Sequence, residues 1–106
     1  MKLPAPVQTY FDADKATAAA PIDAFAPDAV VKDEGKTHVG HDAIEAWWDA
    51  AKAQYRHTAK PFESVEERGL TIVRARVTGQ FPASPALLTF AFRLADGRIV
   101  ALEISA

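Results

Sequence analysis

The feature that most constrains this chain is a change of hydrophobic period at about His57. Before that point apolar residues recur at helical spacing, and after it they alternate. Val7, Tyr10, Phe11 and Asp14 fall at i, i+3, i+4 and i+7, one face of a helix opening near Pro4 and Pro6. Proline is tolerated there because the first-turn N–H has no helical partner to lose. Ile44, Trp47, Trp48, Ala51 and Tyr55 form a broader stripe behind Gly40. Asp42 and Glu45 stand near its start and Arg56 and His57 near its end, the order that complements a helix dipole. A shorter helix is expected from about Ala18 to Phe25, with Thr17 as its cap, Pro21 pushing its start toward Ala20 and Pro27 ending it.

Ala29–Val31 and Thr37–Val39 read as a short hairpin around the turn Asp33-Glu34-Gly35-Lys36. Strands are then expected over Phe62–Glu67, Leu70–Thr78 and Ala86–Leu94. In the second of these, Thr71, Val73, Ala75 and Val77 share one face, and Ile72, Arg74 and Arg76 the other. In the third, Leu88, Phe90, Phe92 and Leu94 oppose Leu87, Thr89, Ala91 and Arg93. Asp96-Gly97 is a tight-hairpin signal leading to a last strand, where Val100, Leu102 and Ile104 share a face. Helices followed by a strand meander give an α+β class, with the helices covering the apolar face of the sheet. The 106 residues are expected to form a single domain, 1–106.

Composition removes several functions. The formal net charge is −2 with no basic patch, so neither nucleic acid nor an anionic membrane is an expected partner. The chain has no cysteine, hence no disulfide framework, thiol nucleophile or cysteine zinc site. The opening Met1-Lys2-Leu3-Pro4 lacks an apolar signal core, and no apolar run approaches the roughly 18 residues of a spanning helix. The expected location is the cytoplasm. The glycines do not cluster into a phosphate-binding loop, and no cofactor is implied.

Four local segments carry a resemblance. They are Val7-Gln8-Thr9-Tyr10-Phe11, Phe25-Ala26-Pro27-Asp28-Ala29-Val30-Val31, Gly40-His41-Asp42-Ala43-Ile44 and Asp96-Gly97-Arg98-Ile99. Their order and spacing resemble the nuclear transport factor 2-like superfamily, in its SnoaL-like and ketosteroid isomerase-like branch. That resemblance implies a cone-shaped, curved antiparallel or mixed sheet (a cystatin-like roll) wrapped around a pocket, with three helices from the first half of the chain closing it. It implies a concave wall carrying Val73, Val77, Leu88 and Phe90, continued by Phe92, Leu102 and Ile104. Tyr10, Trp47 and Trp48 would close the pocket from the helices. It further implies a homodimer through the convex sheet face, which would display Arg74, Arg76, Leu87, Thr89, Ala91 and Arg93.

The same resemblance assigns roles. Asp33 takes the position of the general base in ketosteroid isomerases, and a carboxylate at the rim of an apolar cavity has its pKa raised toward the useful range by desolvation. The local alternative is a solvated turn aspartate. Tyr10 matches the tyrosine that donates to the substrate oxyanion, a role suited to a phenol in a dry pocket; the alternative is a core tyrosine. Phe90 takes the place of the second oxyanion donor, a protonated aspartic acid in those enzymes, and donates nothing. His38 and His41 stand beside Asp42 without a further ligand at metal-binding spacing, so no metal is expected. His38 has a second reading as a proton shuttle at the pocket mouth. Arg74, Arg76 and Arg93 face outward by strand parity, which excludes an Asp-Arg-Asp epoxide-opening relay.

Three functions stay open at this point. The first is proton transfer on a small apolar carbonyl compound, with Asp33 as base and Tyr10 as oxyanion donor. The second is non-catalytic binding of an apolar ligand. The third is a dimerisation module of the same fold.

Overall fold

A computed structural model describes residues Met1–Ala106. Helix α1 spans Ala5–Ala16, followed by a single 3-10 turn at Ile22–Ala24. The hairpin strands are β1, Phe25–Asp33, and β2, Lys36–Val39. Helix α2 runs from His41 to Tyr55, and the meander follows as β3 Thr58–Glu67, β4 Leu70–Thr78, β5 Ala86–Ala95 and β6 Arg98–Ser105. The six strands make one sheet in the order β2-β1-β6-β5-β4-β3. All neighbours are antiparallel except β1 and β6, which run parallel, so the sheet is mixed.

Two expectations are corrected here. There are two α-helices, not three. Thr17 turns left-handed at φ 53° to end α1, Pro21 supplies no N–H for a first turn, and Phe25 is already extended at φ −102°. What remains between them is one 3-10 turn. The sheet is also not a cone: it is open and not strongly curled. Its edge strands β2 and β3 are each paired on one side only, so no ladder closes it around a pocket. The hollow of the molecule lies instead between the sheet, the two helices and two loops.

The inward rows of the sheet follow the alternation read from sequence. Thr71, Phe92, Leu102, Val31 and His38 are successive cross-strand partners in one row, and Val73, Phe90 and Ile104 in the next. Asp33 stands two residues beyond Val31, so strand parity turns it to the same inward face. The last strand departs from simple alternation. Leu94 pairs with Ile99 but Arg93 with Ala101, leaving Val100 as an inserted bulge residue. Parity flips there, and Ile99 joins Leu102 as a fully buried residue while Val100 is only half-buried.

Both helices lie on the inward face. Val7, Tyr10 and Phe11 of α1 and Ile44 and Trp48 of α2 are buried against Phe25, Val73, Phe90 and Phe92. Each such large side chain contributes about 1.5–3 kcal/mol by leaving water. The start of α2 is fixed by backbone geometry: Gly40 sits at φ 87° and its N–H bonds the Ala29 carbonyl at 2.9 Å. His41 Nε2 donates to the Phe25 carbonyl at 2.9 Å, so this histidine pins α2 to β1.

The other ends of the helices are held by a charge. Asp14, on the buried stripe of α1, is 2% exposed. Its Oδ1 accepts from Lys52 Nζ of α2 at 2.7 Å, and its Oδ2 accepts from the Ala59 N–H of β3 at 2.6 Å. Lys52 Nζ also donates to the backbone carbonyls of Asp14 and His57, at 2.9 and 2.7 Å. One carboxylate therefore joins α1, α2 and β3. Asp14→Ala strands the Lys52 ammonium, whose side chain is 10% exposed. It is expected to cost about 3–5 kcal/mol, read as a lowered urea midpoint. An unchanged midpoint contradicts the clamp.

Candidate functional site

A cavity of about 610 Å³ opens between these elements, within the range of small-molecule sites. Twelve of its 19 lining residues are hydrophobic, so the body of any occupant has to be apolar. The sheet contributes Val77, Ala86, Leu88, Phe90 and Ile104. The helices contribute Tyr10 and Asp14 from α1, and Trp47, Ala51 and Tyr55 from α2. The β1–β2 turn supplies Asp33, Glu34 and Gly35, and the β4–β5 connection supplies Phe81, Pro82 and Ala83.

Asp33 and Tyr10 meet on this cavity. The Asp33 Oδ2 accepts from Trp47 Nε1 at 3.0 Å. Burial raises the Asp33 pKa above its ordinary value of 3.8; the Trp47 hydrogen bond opposes the rise, and the neighbouring Glu34 charge adds to it. The Tyr10 ring is wedged edge-on between Phe11, Trp48 and Phe92, with centroids 5.1, 5.3 and 5.5 Å away. Tyr10 is only 3% exposed, and no side chain or backbone group bonds its hydroxyl. Burial first, then the Asp14 and Asp33 charges, hold its pKa well above 10.0, so the phenol keeps its proton.

The remaining residues singled out from sequence divide. Trp47, Val77, Leu88, Phe90 and Ile104 line the cavity. Trp48, Val73, Phe92 and Leu102 do not; they are core residues, with Trp48 Nε1 donating to the Ala18 carbonyl at 3.0 Å. His38 is also outside the lining, packed on the far side of Trp47 with ring centroids 6.0 Å apart. No group of three or more histidine, aspartate or glutamate side chains converges to hold a metal ion.

Sequence reading missed five polar residues of the wall: Asp14, Glu34, Tyr55, His57 and Ser105. Asp14 was visible as a carboxylate at the i+7 position of an apolar stripe, which demands a buried partner. Its partners Lys52 and His57, and the pair Tyr55 and Glu34, depend on contacts between distant elements. The Tyr55 hydroxyl donates to Glu34 Oε1 at 2.9 Å across the mouth. Glu34 and Gly35 take φ 52° and 74°, the two left-handed positions of a tight hairpin turn, and this presents Glu34 toward α2. On the other flank, Gly79 lets the β4–β5 connection approach α2. A Cβ there would lie 2.7 Å from the Tyr55 carbonyl oxygen and 2.8 Å from His57 Cα.

His57 is the least settled of these groups. Its Nε2 lies 3.5 Å from Asp14 Oδ1, and its Nδ1 is buried without a hydrogen-bond partner. The Ala51 carbonyl favours the protonated ring but does not meet Nδ1 at hydrogen-bonding geometry. Burial and then the Lys52 charge lower the His57 pKa below 6.5. The unfolded chain therefore takes up the proton first, and stability is lost as pH falls through 6.5 toward the folded pKa. The urea midpoint is expected to drop between pH 7.5 and 5.5 in the wild type, and to drop less in His57→Gln. Equal slopes in both proteins rule this out.

The comparisons agree with this geometry. A sequence model of the SnoaL-like domain matches residues 7–102. A comparison with curated proteins returns no significant match. Among solved structures, a Sinorhizobium meliloti protein bearing the provisional name of a polyketide cyclase is 49% identical. It covers 97% of this chain and 95% of its own, with a TM-score of 0.93. A Catenulispora acidiphila protein of ketosteroid isomerase-like fold, crystallised with trimethylamine, is 18% identical over 99% of this chain and 87% of its own, at TM-score 0.84. A nuclear transport factor 2-like protein of unknown function from Cytophaga hutchinsonii is 10% identical over 94% and 85%, at TM-score 0.74. No helix of the structure is long and apolar enough to cross a membrane. The family match over residues 7–102, carried on this two-helix mixed-sheet fold, establishes that the chain belongs to the SnoaL-like domain family.

Proposed function

We propose that this protein holds a small, largely apolar carbonyl compound in its cavity and moves a proton on it. The observation that carries the reading is the placement of a desolvated carboxylate, Asp33, and a partnerless buried phenol, Tyr10, on one apolar hollow. Asp33 takes a proton from the carbon beside the carbonyl. The C–H electron pair becomes the enolate double bond, and the carbonyl oxygen, now negative, accepts a hydrogen bond from Tyr10 O–H. Asp33 then returns the proton to the far carbon of the extended enolate, giving the conjugated isomer and restoring the carboxylate. Trp47 N–H holds the carboxylate in place throughout. His38 lies outside the cavity lining, and what it contributes is a charge near Asp33 that opposes the rise of the Asp33 pKa.

Non-catalytic binding has one specific observation in its favour. Phe90 lines the wall and is 4% exposed, with no group to donate to an oxyanion. Losing one such donor costs on the order of 10²–10³ in rate. The isomerisation of 3-cyclohexenone, followed at the absorbance of its conjugated product, separates the readings. Wild type is expected to exceed Asp33→Asn by about 10²-fold or more, with Tyr10→Phe between them. Equal background rates in all three leave only the binding reading.

The reading includes a second copy of the chain on the outward sheet face. Both helices pack on the inward face, and Phe62, Val65 and Leu87 on strands β3 and β5 stay 48%, 46% and 54% exposed. Arg74 and Glu63 pair across the same face at 3.8 Å, so a two-fold partner would meet both charge signs and apolar surface together. Sedimentation equilibrium is expected to give a dimer that Leu87→Glu converts to monomer. A monomeric wild type at micromolar concentration removes this part.

A further inference from the structure

The carboxylates Asp14, Asp33 and Glu34 line the cavity, while Lys32 and Lys36 stand beside Asp33 and Glu34 in the adjoining groove and not in the lining. Asp33 and Glu34 stand next to each other at the mouth, and neither enters an ion pair: the salt bridges are Asp14–Lys52, Asp14–His57 and Glu63–Arg74. No lysine or arginine lines the cavity. Lys36 is the register partner of Asp33 in the hairpin but lies outside the lining. Lys52 is spent on three acceptors, the Asp14 carboxylate and two backbone carbonyls. At the inner end, Tyr10, a residue only 3% exposed, lines the hollow and its hydroxyl has no partner of its own.

An oxyanion forming at Tyr10 has that one donor to meet it; Asp14 is already paired with Lys52 and Asp33 turns neutral on taking the proton, so Glu34 is the unpaired charge left near it. Burial chiefly, and then the Asp14 and Asp33 charges, hold the Tyr10 pKa up in the resting cavity. A free acid or a phosphate meets the Asp33 and Glu34 charges on entry. A substrate carrying its own positive charge is instead drawn to the mouth, and its cation offsets the Glu34 charge while the oxyanion forms.

We propose that the cavity takes an apolar carbonyl compound bearing a protonated amine, the ammonium seated against the Glu34 carboxylate and the Tyr55 ring at the mouth. Asp33 is then left to work on the carbon beside the carbonyl. The Tyr55 hydroxyl already bonds Glu34 at 2.9 Å, so the carboxylate is held beside the edge of an aromatic ring, and a carboxylate with an aromatic neighbour is a pairing that attracts organic ammonium groups. The carbonyl half of this substrate class rests on the proton-transfer reading above, and the amine half rests on the cavity charge.

The test is a binding series on one carbon skeleton, independent of turnover: 3-phenylpropylamine, 3-phenylpropan-1-ol and 3-phenylpropanoate, titrated calorimetrically at pH 7.5 and low salt. The amine is expected to bind about tenfold tighter than the carboxylate. Glu34→Gln is expected to shrink that ratio about threefold, and Asp33→Asn/Glu34→Gln to bring it near one. Glu34 is an exposed turn residue, so its single variant carries the test if the double variant does not fold. A carboxylate bound as tightly as the amine, a ratio untouched by Glu34→Gln, or no binding of any of the three overturns the proposal. An inactive isomerase assay leaves a charge preference standing. An active enzyme without one defeats the amine and spares the base.

Discussion

The Asp14 carboxylate is the interaction on which the rest of this structure depends. It sits at the end of α1 on a stripe that is otherwise apolar, and it accepts from Lys52 of α2 and from the first buried N–H of β3. Taking an ion pair out of water costs more than its Coulombic attraction returns unless further hydrogen bonds are made. Here the Ala59 N–H and the two carbonyls on Lys52 supply them. The outcome is geometric as much as energetic. Three elements with no sequence continuity are tied at one point, and α2 is tied separately to the β1–β2 hairpin by Trp47 to Asp33 and by Tyr55 to Glu34. The cavity is what these two sets of ties hold apart.

Between those ties the aromatic residues do separate jobs. Tyr10 is fixed by its ring and free at its hydroxyl, because the edge-on contacts with Phe11, Trp48 and Phe92 use only carbon. Trp47 and Trp48 are adjacent, about 100° apart around the helix, and divide the same way. Trp48 turns into the core and bonds the Ala18 carbonyl, while Trp47 turns to the cavity and bonds Asp33. Both indole N–H groups are satisfied, so their places are fixed by hydrogen bonds and packing alike.

How much of this was legible follows from what each signal depends on. Strand parity depends on neighbours one and two residues away, so the inward faces of β4 and β5 could be read directly from Val73, Ala75, Val77, Leu88 and Phe90. It failed on β6, where the bulge at Val100 shifts the register, a feature of pairing between strands rather than of one strand's pattern. The expected helix near Ala18–Phe25 failed because Pro21 and the extended Phe25 leave room for a single turn. The cone failed because closure depends on whether edge strands find partners, which alternation within a strand does not encode. The polar wall was the least legible part. Asp14 with Lys52, and Glu34 with Tyr55, are separated by 38 and 21 residues, and a lone charge in a helix gives no address for its partner.

The division of labour in the cavity wall also constrains how any occupant lies. Strands β4 and β5 present only Val77, Ala86, Leu88 and Phe90, which have no side-chain donor or acceptor. The side chains that can hydrogen-bond an occupant come mostly from the helices, the α2–β3 junction and the hairpin end (Tyr10, Asp14, Trp47, Tyr55, His57, Asp33 and Glu34), with Ser105 at the end of β6. An occupant lying the other way would leave its polar atoms against carbon, at a cost of about 1–3 kcal/mol for each unsatisfied group. The hydrocarbon of an occupant is therefore best placed on β4 and β5, with its oxygen or nitrogen atoms toward the helices and the hairpin end. Within that face the groups are ordered, with the buried phenol innermost, the hydrogen-bonded carboxylate of Asp33 intermediate and the exposed Glu34 at the mouth. A molecule with one polar end satisfies only part of this series. A molecule with an oxygen at its inner end and a charged group several carbons away can use its whole length, and that is the shape the wall is built to orient.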